Sequence, residues 1–137
     1  MVSCGIDIAA KRAVFVFLKL DDSVSDVTGA FTQLRVQDDD DPGALSAFHR
    51  SAMNMFAARR PHRIGILQRK KFGTFAASGT TFKLEALLQL YPEQKVEIVS
   101  GQELRMFAKE RQPAVAPRYK YQKNAYLLAL YLLGSGH

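Results

Sequence analysis

The feature that most constrains the fold of this chain is its opening, where two apolar segments follow each other with almost no link between them. Residues 2–9 (VSCGIDIA) and 12–20 (RAVFVFLKL) are rich in β-branched and aromatic side chains, which favour strands. Two strands joined so closely are expected to pair antiparallel. Asp7 lies inside the first of them, and a buried carboxylate is costly unless it is paired or bound to a metal. Asp7 is therefore either a structural acid with a local partner or part of a catalytic site.

The segments that follow predict a sheet covered by helices. Residues 21–30 indicate a turn and loop, and 31–37 alternate as a third strand, so the first three strands form an antiparallel meander. Two later strands are expected at 63–68 and 95–100. Helices are expected in four places: from Asp41 to about Arg59, from Thr80 or Thr81 onward, from Gly101 to about Arg111, and from Gln122 to Leu133. The predicted fold is α/β, with a five-stranded mixed sheet flanked by helices.

Size and composition are those of a soluble globular protein. The 137 residues are 47% hydrophobic and are expected to form a single domain over 1–137. The longest apolar run, AYLLALYLL at 125–133, is too short to cross a bilayer, and the N-terminus lacks a secretory pattern. The one cysteine, Cys4, excludes an internal disulfide and suggests a reducing compartment. We therefore expect a cytoplasmic protein without a membrane partner.

Charge is divided unevenly along the chain. Residues 1–42 carry a formal charge of −4, whereas residues 43–137 carry +10. A polyanion such as nucleic acid is a reasonable partner for the basic part, although a solvated basic surface gives the same composition. The acidic run DDDD at 38–41 is expected to form an exposed turn and helix start rather than a metal site.

The order strand, strand, strand, helix, strand, helix, strand, helix, with Asp7 in the first strand, resembles the ribonuclease H-like fold. That fold includes the RuvC-type Holliday-junction resolvases, and the opening GIDIA is similar to the start of RuvC-like transposases. A closer similarity is to a small, uncharacterised bacterial family of ribonuclease H-like proteins, over GTFAASGTTFKLEALLQL and KVEIVS. The resemblance covers most of the chain.

Catalysis in this superfamily implies two divalent ions, usually Mg²⁺, about 4 Å apart and held by three or four carboxylates. The first strand supplies one, the end of the fourth strand or the helix that follows it supplies another, and the last helix supplies one or two. Here Asp7 matches the first position, but Gln68 stands at the second and Lys123 and Asn124 stand at the third. The metal cluster is therefore incomplete, and no cofactor is expected. Mg²⁺ would be needed only if Asp7 acted with non-standard acids, for which Glu85, Glu103 and Glu110 are the candidates.

Two interpretations of Asp7 remain open. It is either part of a single-metal or degenerate site, or a structural acid that is hydrogen-bonded to local backbone or paired with Lys123. In the second case, the ion pair would occupy the place of the lost metals.

Two basic segments are the candidates for nucleic-acid binding. Their cations bind phosphates without reading sequence, and an aromatic ring among them can stack on an unpaired base. Phe72 and Phe75 would equally well anchor the first segment into the core, and the second segment also fits an ordinary helix entry. The candidate residues are Arg69, Lys70, Lys71 and Phe72 in the first segment, and Arg118 and Lys120 in the second.

Three functions follow, of which the first explains both the basic charge and the missing acids. The chain is a nucleic-acid-binding protein with a degenerate RuvC-like nuclease fold, a Mg²⁺-dependent nuclease or resolvase that uses Asp7 with other acids, or a non-catalytic scaffold that forms a homodimer through its last helix. If it is an enzyme, it is a metal-dependent phosphodiesterase.

Overall fold

The computed structural model describes residues 1–69, 78–111 and 117–134. A short 3₁₀ turn, Lys120–Gln122, leads directly into the last helix. The elements in chain order are β1 (Val2–Ala9), β2 (Arg12–Leu20), β3 (Val24–Asp26), β4 (Gln33–Arg35), α1 (Pro42–Arg59), β5 (Arg63–Leu67), α2 (Gly79–Leu88), β6 (Val96–Val99), α3 (Gly101–Glu110) and α4 (Lys123–Gly134). The predicted α/β class is confirmed.

β1 lies at the centre of one mixed sheet, in which the strands follow the order β3-β2-β1-β5-β6. β1 and β2 pair antiparallel, with Asp7 opposite Val14, whereas β5 pairs parallel with both β1 and β6. The three parallel strands therefore end on one side of the sheet, which we call the carboxyl edge. Open α/β sheets bind their ligands beyond the carboxyl ends of the strands, so this edge is the expected place for a site.

Over the residues that the structure describes, the sheet has six strands rather than the predicted five, because the loop predicted at 21–30 contains β3. β3 and β4 both pair with the outer edge of β2, β3 near its end and β4 near its start. Gly29 lies between them with a φ of 78°, a conformation that glycine adopts without steric cost. All three residues of β3 are exposed, so no apolar alternation marks this strand in the sequence.

Side-chain caps start α1 and α3 at the predicted residues, Asp41 and Ser100. Each cap satisfies a backbone N–H that has no partner inside the helix, which contributes about 1 kcal/mol. α2 begins earlier than predicted, at Gly79, because Ser78 rather than one of the two following threonines is its cap.

Apolar side chains pack on both faces of the sheet. α1 and α2 cover one face, and α4 covers the other. The first face is lined by residues that include Ile6, Phe15, Phe17, Ile64, Phe56 and Leu84. The second face is lined by residues that include Val14, Val16, Leu67, Ala125, Leu128 and Leu132. Within the described ranges, no helix combines the length and the apolar character needed to cross a membrane.

The apolar run of α4 is explained by its packing within the chain. The helix lies against β1, β2, β5 and α3. Its buried residues are Ala125, Tyr126, Leu128, Ala129 and Leu132. A helix covered on more than one side is expected to be apolar over most of its surface. The homodimer expected from this run therefore stays a prediction, because the run has an explanation without a second copy.

Candidate functional site

Three polar residues that are far apart in the sequence meet at the carboxyl edge. Asp7 lies near the end of β1, Arg69 follows β5, and Asn124 belongs to the first turn of α4. β1 and β5 are neighbours in parallel register, with Ile6 opposite Ile66, so their carboxyl ends lie side by side. This register brings Arg69 beside Asp7.

The first turn of α4 reaches Asp7 because α4 packs directly on the backbone of β1. A Cβ atom on Gly5 would lie 2.1 Å from the carbonyl oxygen of Ala125 and 2.6 Å from the amide nitrogen of Ala129. The buried hydroxyl of Ser3 donates to the carbonyl oxygen of Ala129 at 2.7 Å. The glycine of the GIDIA segment is thus needed for a close approach between helix and strand, and this approach places Asn124 over the end of β1.

Asp7 is paired with an arginine. Arg69 donates from Nη2 to Oδ1 of Asp7, and Asn124 donates from Nδ2 to Oδ2 at a long 3.5 Å. Only 11% of the Asp7 side chain is exposed, so the ion pair compensates a carboxylate that water reaches poorly. The sequence predicted local backbone or Lys123 as the partner of a structural Asp7, and this prediction was wrong, because the partner is Arg69. Lys123 is exposed on the outside of α4, whereas Arg69 extends from the neighbouring strand.

Arg69 is not fully satisfied by this contact. Its Nε atom is buried and has no hydrogen-bond partner among the described residues, although 29% of the side chain is exposed. A guanidinium group carries five N–H donors, so donors remain available to a further acceptor.

The residues around Asp7 do not fit a divalent metal ion. All 13 acidic residues of the chain fall within the described ranges, because the other segments contain neither Asp nor Glu. Asp7 belongs to no group of three or more described side chains that could hold a metal ion. Its neighbours are a guanidinium and an amide nitrogen, which donate hydrogen bonds and repel or ignore a cation. Among the described residues, no cluster of three or more carboxylates, histidines or cysteines forms at Asp7.

The acids that do converge are Asp38, Asp39 and Asp40, of which Asp39 is half-buried and the other two are exposed. Thr80 donates to Asp39 at 2.7 Å, and Lys83 pairs with both Asp39 and Asp40. The hydrogen bond from Thr80 is the main reason why the pKa of Asp39 is lowered. These contacts attach the start of α2 to the loop before α1, which gives the acidic run a structural role.

The three substitute acids considered from the sequence are held elsewhere or lie on other helices. Glu103 accepts a hydrogen bond from Ser100 at 3.2 Å and one from Tyr131 at 2.8 Å. Glu110 ends α3. Glu85 lies on α2, which covers the opposite face of the sheet from α4. Gln68, at the second expected acid position, continues the sheet by donating its backbone N–H to Val99 at 2.8 Å.

The first basic segment is described only at its start. Arg69 is placed as above, while Lys70, Lys71 and Phe72 lie outside the described residues, as does Phe75. Their predicted role in nucleic-acid binding stays a prediction.

The second basic segment leads into α4, close to Asp7. Arg118 and Lys120 are both exposed, and the guanidinium carbon of Arg118 lies 5.2 Å from the centre of the Tyr119 ring. Sequence reasoning missed Arg12, whose guanidinium carbon lies 5.2 Å from the centre of the Tyr121 ring. The long sequence separation between Arg12 and this segment leaves no local pattern that could have revealed the contact.

Comparison with solved structures identifies the fold. A structure of Thermus thermophilus RuvC superposes with a TM-score of 0.78 at 12% identity, covering 99% of this chain and 97% of that one. T. thermophilus RuvC in complex with a Holliday junction substrate gives 0.75 at 14% identity, covering 99% and 96%. Fowlpox virus resolvase in complex with Holliday junction DNA gives 0.55 at 10% identity, covering 98% of each chain. The chain has the ribonuclease H-like fold of RuvC, as its sequence predicted.

A comparison with curated proteins found no match. A family model described as "Protein of unknown function (DUF3010)" matches residues 1–132. The chain therefore belongs to the DUF3010 family.

Proposed function

We propose that this DUF3010 protein binds nucleic-acid phosphates at the carboxyl edge of its sheet without two-metal catalysis. The observation that carries this proposal is the pairing of Asp7 with Arg69. In this fold, Asp7 stands where a catalytic acid would hold metal, yet here a fixed positive charge from the chain itself occupies that place. A guanidinium attracts the phosphate that a metal ion would otherwise attract, but it does not generate a metal-bound nucleophile.

Arg69 has the chemistry of a phosphate ligand. Its planar group presents several N–H donors, Asp7 engages only one of its nitrogens, and 29% of the side chain is exposed to an incoming ligand. Asp7 engages the Nη2 end of the group and so limits its rotation. The proposed site is thus an arginine that one carboxylate orients toward a phosphate oxygen.

Long-range charge favours the same ligand. Residues 43–137 carry a formal charge of +10 and include Arg69, both basic segments and α4. Such a field attracts a polyanion without selecting sequence, and its effect falls with salt. Two of the solved structures with this fold contain Holliday junction DNA, which supports nucleic acid as the class of ligand. A cytoplasmic location is part of this proposal.

The test is a fluorescence-anisotropy titration with single-stranded, duplex and branched DNA, and with RNA. Each titration is run at two salt concentrations, with and without Mg²⁺, and the nucleic acid is examined on a gel afterwards. The expected result is binding that weakens with salt, does not require Mg²⁺ and leaves the nucleic acid intact. Arg69→Gln should weaken binding by about tenfold and reduce the salt slope by about 1.

Two further variants separate phosphate binding from general effects. Arg50→Gln removes one charge from an exposed arginine on α1 and should leave affinity within about twofold. The double variant Asp7→Asn with Arg69→Gln avoids an unpaired carboxylate and should still bind more weakly than Asp7→Asn alone, because the guanidinium is absent. Mg²⁺-dependent cleavage that Asp7→Asn abolishes would show that the protein is a nuclease. The absence of binding to every nucleic acid would also overturn the proposal.

A further inference from the structure

We propose that Arg118, Tyr119, Tyr121 and Arg12 form a stacking site for an unpaired nucleobase, beside the phosphate site at Asp7 and Arg69. This inference rests on the proposed function, since it specifies which part of a nucleic acid the carboxyl edge selects. The four side chains form a column of flat groups, which we call the tyrosine column. The Tyr119 and Tyr121 rings stack with centres 5.6 Å apart and an angle of only 6° between their planes. Arg118 lies over Tyr119 and Arg12 lies over Tyr121, each at 5.2 Å from the ring centre.

One end of the tyrosine column is anchored to the sheet. The Tyr121 hydroxyl shares a hydrogen bond of 2.5 Å with the Thr32 hydroxyl, and Arg12 donates to the Gln33 side chain at 2.9 Å. Thr32 and Gln33 belong to the segment that pairs with the start of β2. These contacts fix the inner ring before any ligand arrives, so binding would not have to order it.

The other end of the tyrosine column is open to solvent. Tyr119 is 40% exposed, and Arg118 is exposed as well. The backbone at Tyr119 is nevertheless held, because its N–H donates at 3.0 Å to the side chain of the buried Gln122. Tyr121 stacks against the Tyr119 ring and the exposed Arg118 guanidinium lies over it, so a base would stack on Tyr119 by taking the place of Arg118.

The tyrosine column lies next to the proposed phosphate site. In the register of β1 and β2, Arg12 lies opposite Ala9. Ala9 is two residues beyond Asp7 on the same face of β1, so Ala9 and Asp7 are about 7 Å apart along the strand. The 3₁₀ turn that contains Tyr121 runs directly into α4 and Asn124. A base on the tyrosine column and a phosphate at Arg69 could therefore come from the same or neighbouring nucleotides.

An unpaired base is the ligand that this surface fits. A flat ring flanked by guanidinium groups stacks on any base, with little dependence on sequence. Bases inside a duplex already stack on both faces, so they cannot reach the tyrosine column without first leaving the helix. Single strands and the unpaired regions of branched structures should therefore bind better than a blunt duplex of equal length.

The experiment replaces the exposed ring. Tyr119→Leu keeps an apolar side chain but removes the aromatic face, whereas Tyr119→Phe keeps that face and loses only the hydroxyl. Affinity is measured for an oligothymidine strand and for a blunt duplex, and a strand containing 2-aminopurine reports stacking through its fluorescence. Tyr131→Leu, on the far side of α4 where Tyr131 packs on Phe107, is the matched control.

The expected result is specific to single strands. Tyr119→Leu should weaken binding to the single strand by about tenfold and leave duplex binding within about twofold, because one stacked base contributes on this scale. Wild type and Tyr119→Phe should quench 2-aminopurine equally, and Tyr119→Leu should quench it less. Equal single-strand affinity and quenching in wild type and Tyr119→Leu would overturn the inference, and the proposed function would stand if Arg69→Gln still weakened binding. If the wild-type protein bound no nucleic acid at all, both the stacking site and the proposed function would be overturned.

Discussion

The two ends of β5 each carry an arginine paired with a carboxylate on the neighbouring strand, but the two pairs differ in how completely they are satisfied. Arg63, at the start of β5, binds Glu97 through two parallel hydrogen bonds of 2.8 and 3.0 Å, and it donates to the carbonyl oxygen of Leu132 at 3.0 Å. Arg69, after the end of β5, bonds to Asp7 through one nitrogen and leaves its buried Nε without a partner among the described residues.

This difference distinguishes the structural ion pair of Arg63 and Glu97 from the proposed phosphate site at Arg69. The pair between Arg63 and Glu97 uses the bidentate geometry that suits both groups, and it joins β5, β6 and the end of α4. The Arg69 pair is geometrically incomplete, and an incompletely satisfied cation at the carboxyl edge can accept a ligand. Interaction with Glu97 also raises the pKa of Arg63, chiefly through the hydrogen bond between them.

The largest change in stability is expected from a substitution of Gly5. Gly5 sets the position of α4, and α4 contacts both the Arg63 pair and the Arg69 pair. Gly5→Val would push the new side chain into the backbone of α4, where even a Cβ atom would lie 2.1 Å from a carbonyl oxygen. We expect a loss of about 3 kcal/mol or more in the free energy of unfolding, because backbone cannot yield as a side chain can. Urea denaturation followed by circular dichroism measures it. A loss below about 1 kcal/mol would contradict the close packing described above.

The intermediate effect compares the two pairs directly. Glu97→Gln should cost about 1–2 kcal/mol of unfolding free energy and leave nucleic-acid affinity unchanged, because it weakens a bidentate contact that is remote from the carboxyl edge. Asp7→Asn should cost less than about 1 kcal/mol, because the amide oxygen can still accept from Arg69, and it should retain or increase affinity. Thermal denaturation and anisotropy on the same samples check both. If affinity for nucleic acid fell in Glu97→Gln but not in Asp7→Asn, the binding role would belong to the Arg63 pair and the structural role to the Arg69 pair.

The smallest effect concerns Asp39, a structural acid of the loop before α1. Its pKa is lowered in the folded protein, chiefly by the hydrogen bond from Thr80, so its contribution to stability is present above the pKa of the unfolded chain and is lost as the pH falls through the folded value. Thr80→Val should therefore be less stable than wild type at pH 6, and the difference should narrow below about pH 4. Urea midpoints measured between pH 6 and pH 2.5 test the sign. A gap that widens in acid would show that Asp39 does not act in this way.

Much of the fold was accessible from the sequence because its signals are local. The apolar strands β1 and β2, the caps at Asp41 and Ser100, and the apolar run of α4 each follow from neighbouring residues. β3 was missed since its backbone pairs with β2 while its three side chains are exposed. Backbone pairing of this kind leaves no side-chain pattern in the sequence.

The site could be predicted only in part. The sequence predicts that acids are missing at Gln68 and Lys123, because this prediction requires only the resemblance and a list of positions. It does not show that Arg69 is the partner of Asp7, since that contact spans 62 residues and depends on the register between β1 and β5. The tyrosine column could not be predicted from neighbouring residues either. Arg12 and Tyr121 are brought together by the packing of β4 and the 3₁₀ turn on β2.

The direct packing of α4 on β1 has an electrostatic consequence. The aligned peptide dipoles of a helix leave partial positive charge at its start and partial negative charge at its end. Asp7 lies beside the first turn of α4, and Arg63 donates to the Leu132 carbonyl in its last turn. The negative Asp7 therefore lies at the positive end of the α4 dipole, and the positive Arg63 lies at its negative end. Each such contact typically stabilises a helix by about 0.3–1 kcal/mol. With α4 reversed, both charges would lie at the wrong ends, so the two strands favour one direction of the helix across the sheet.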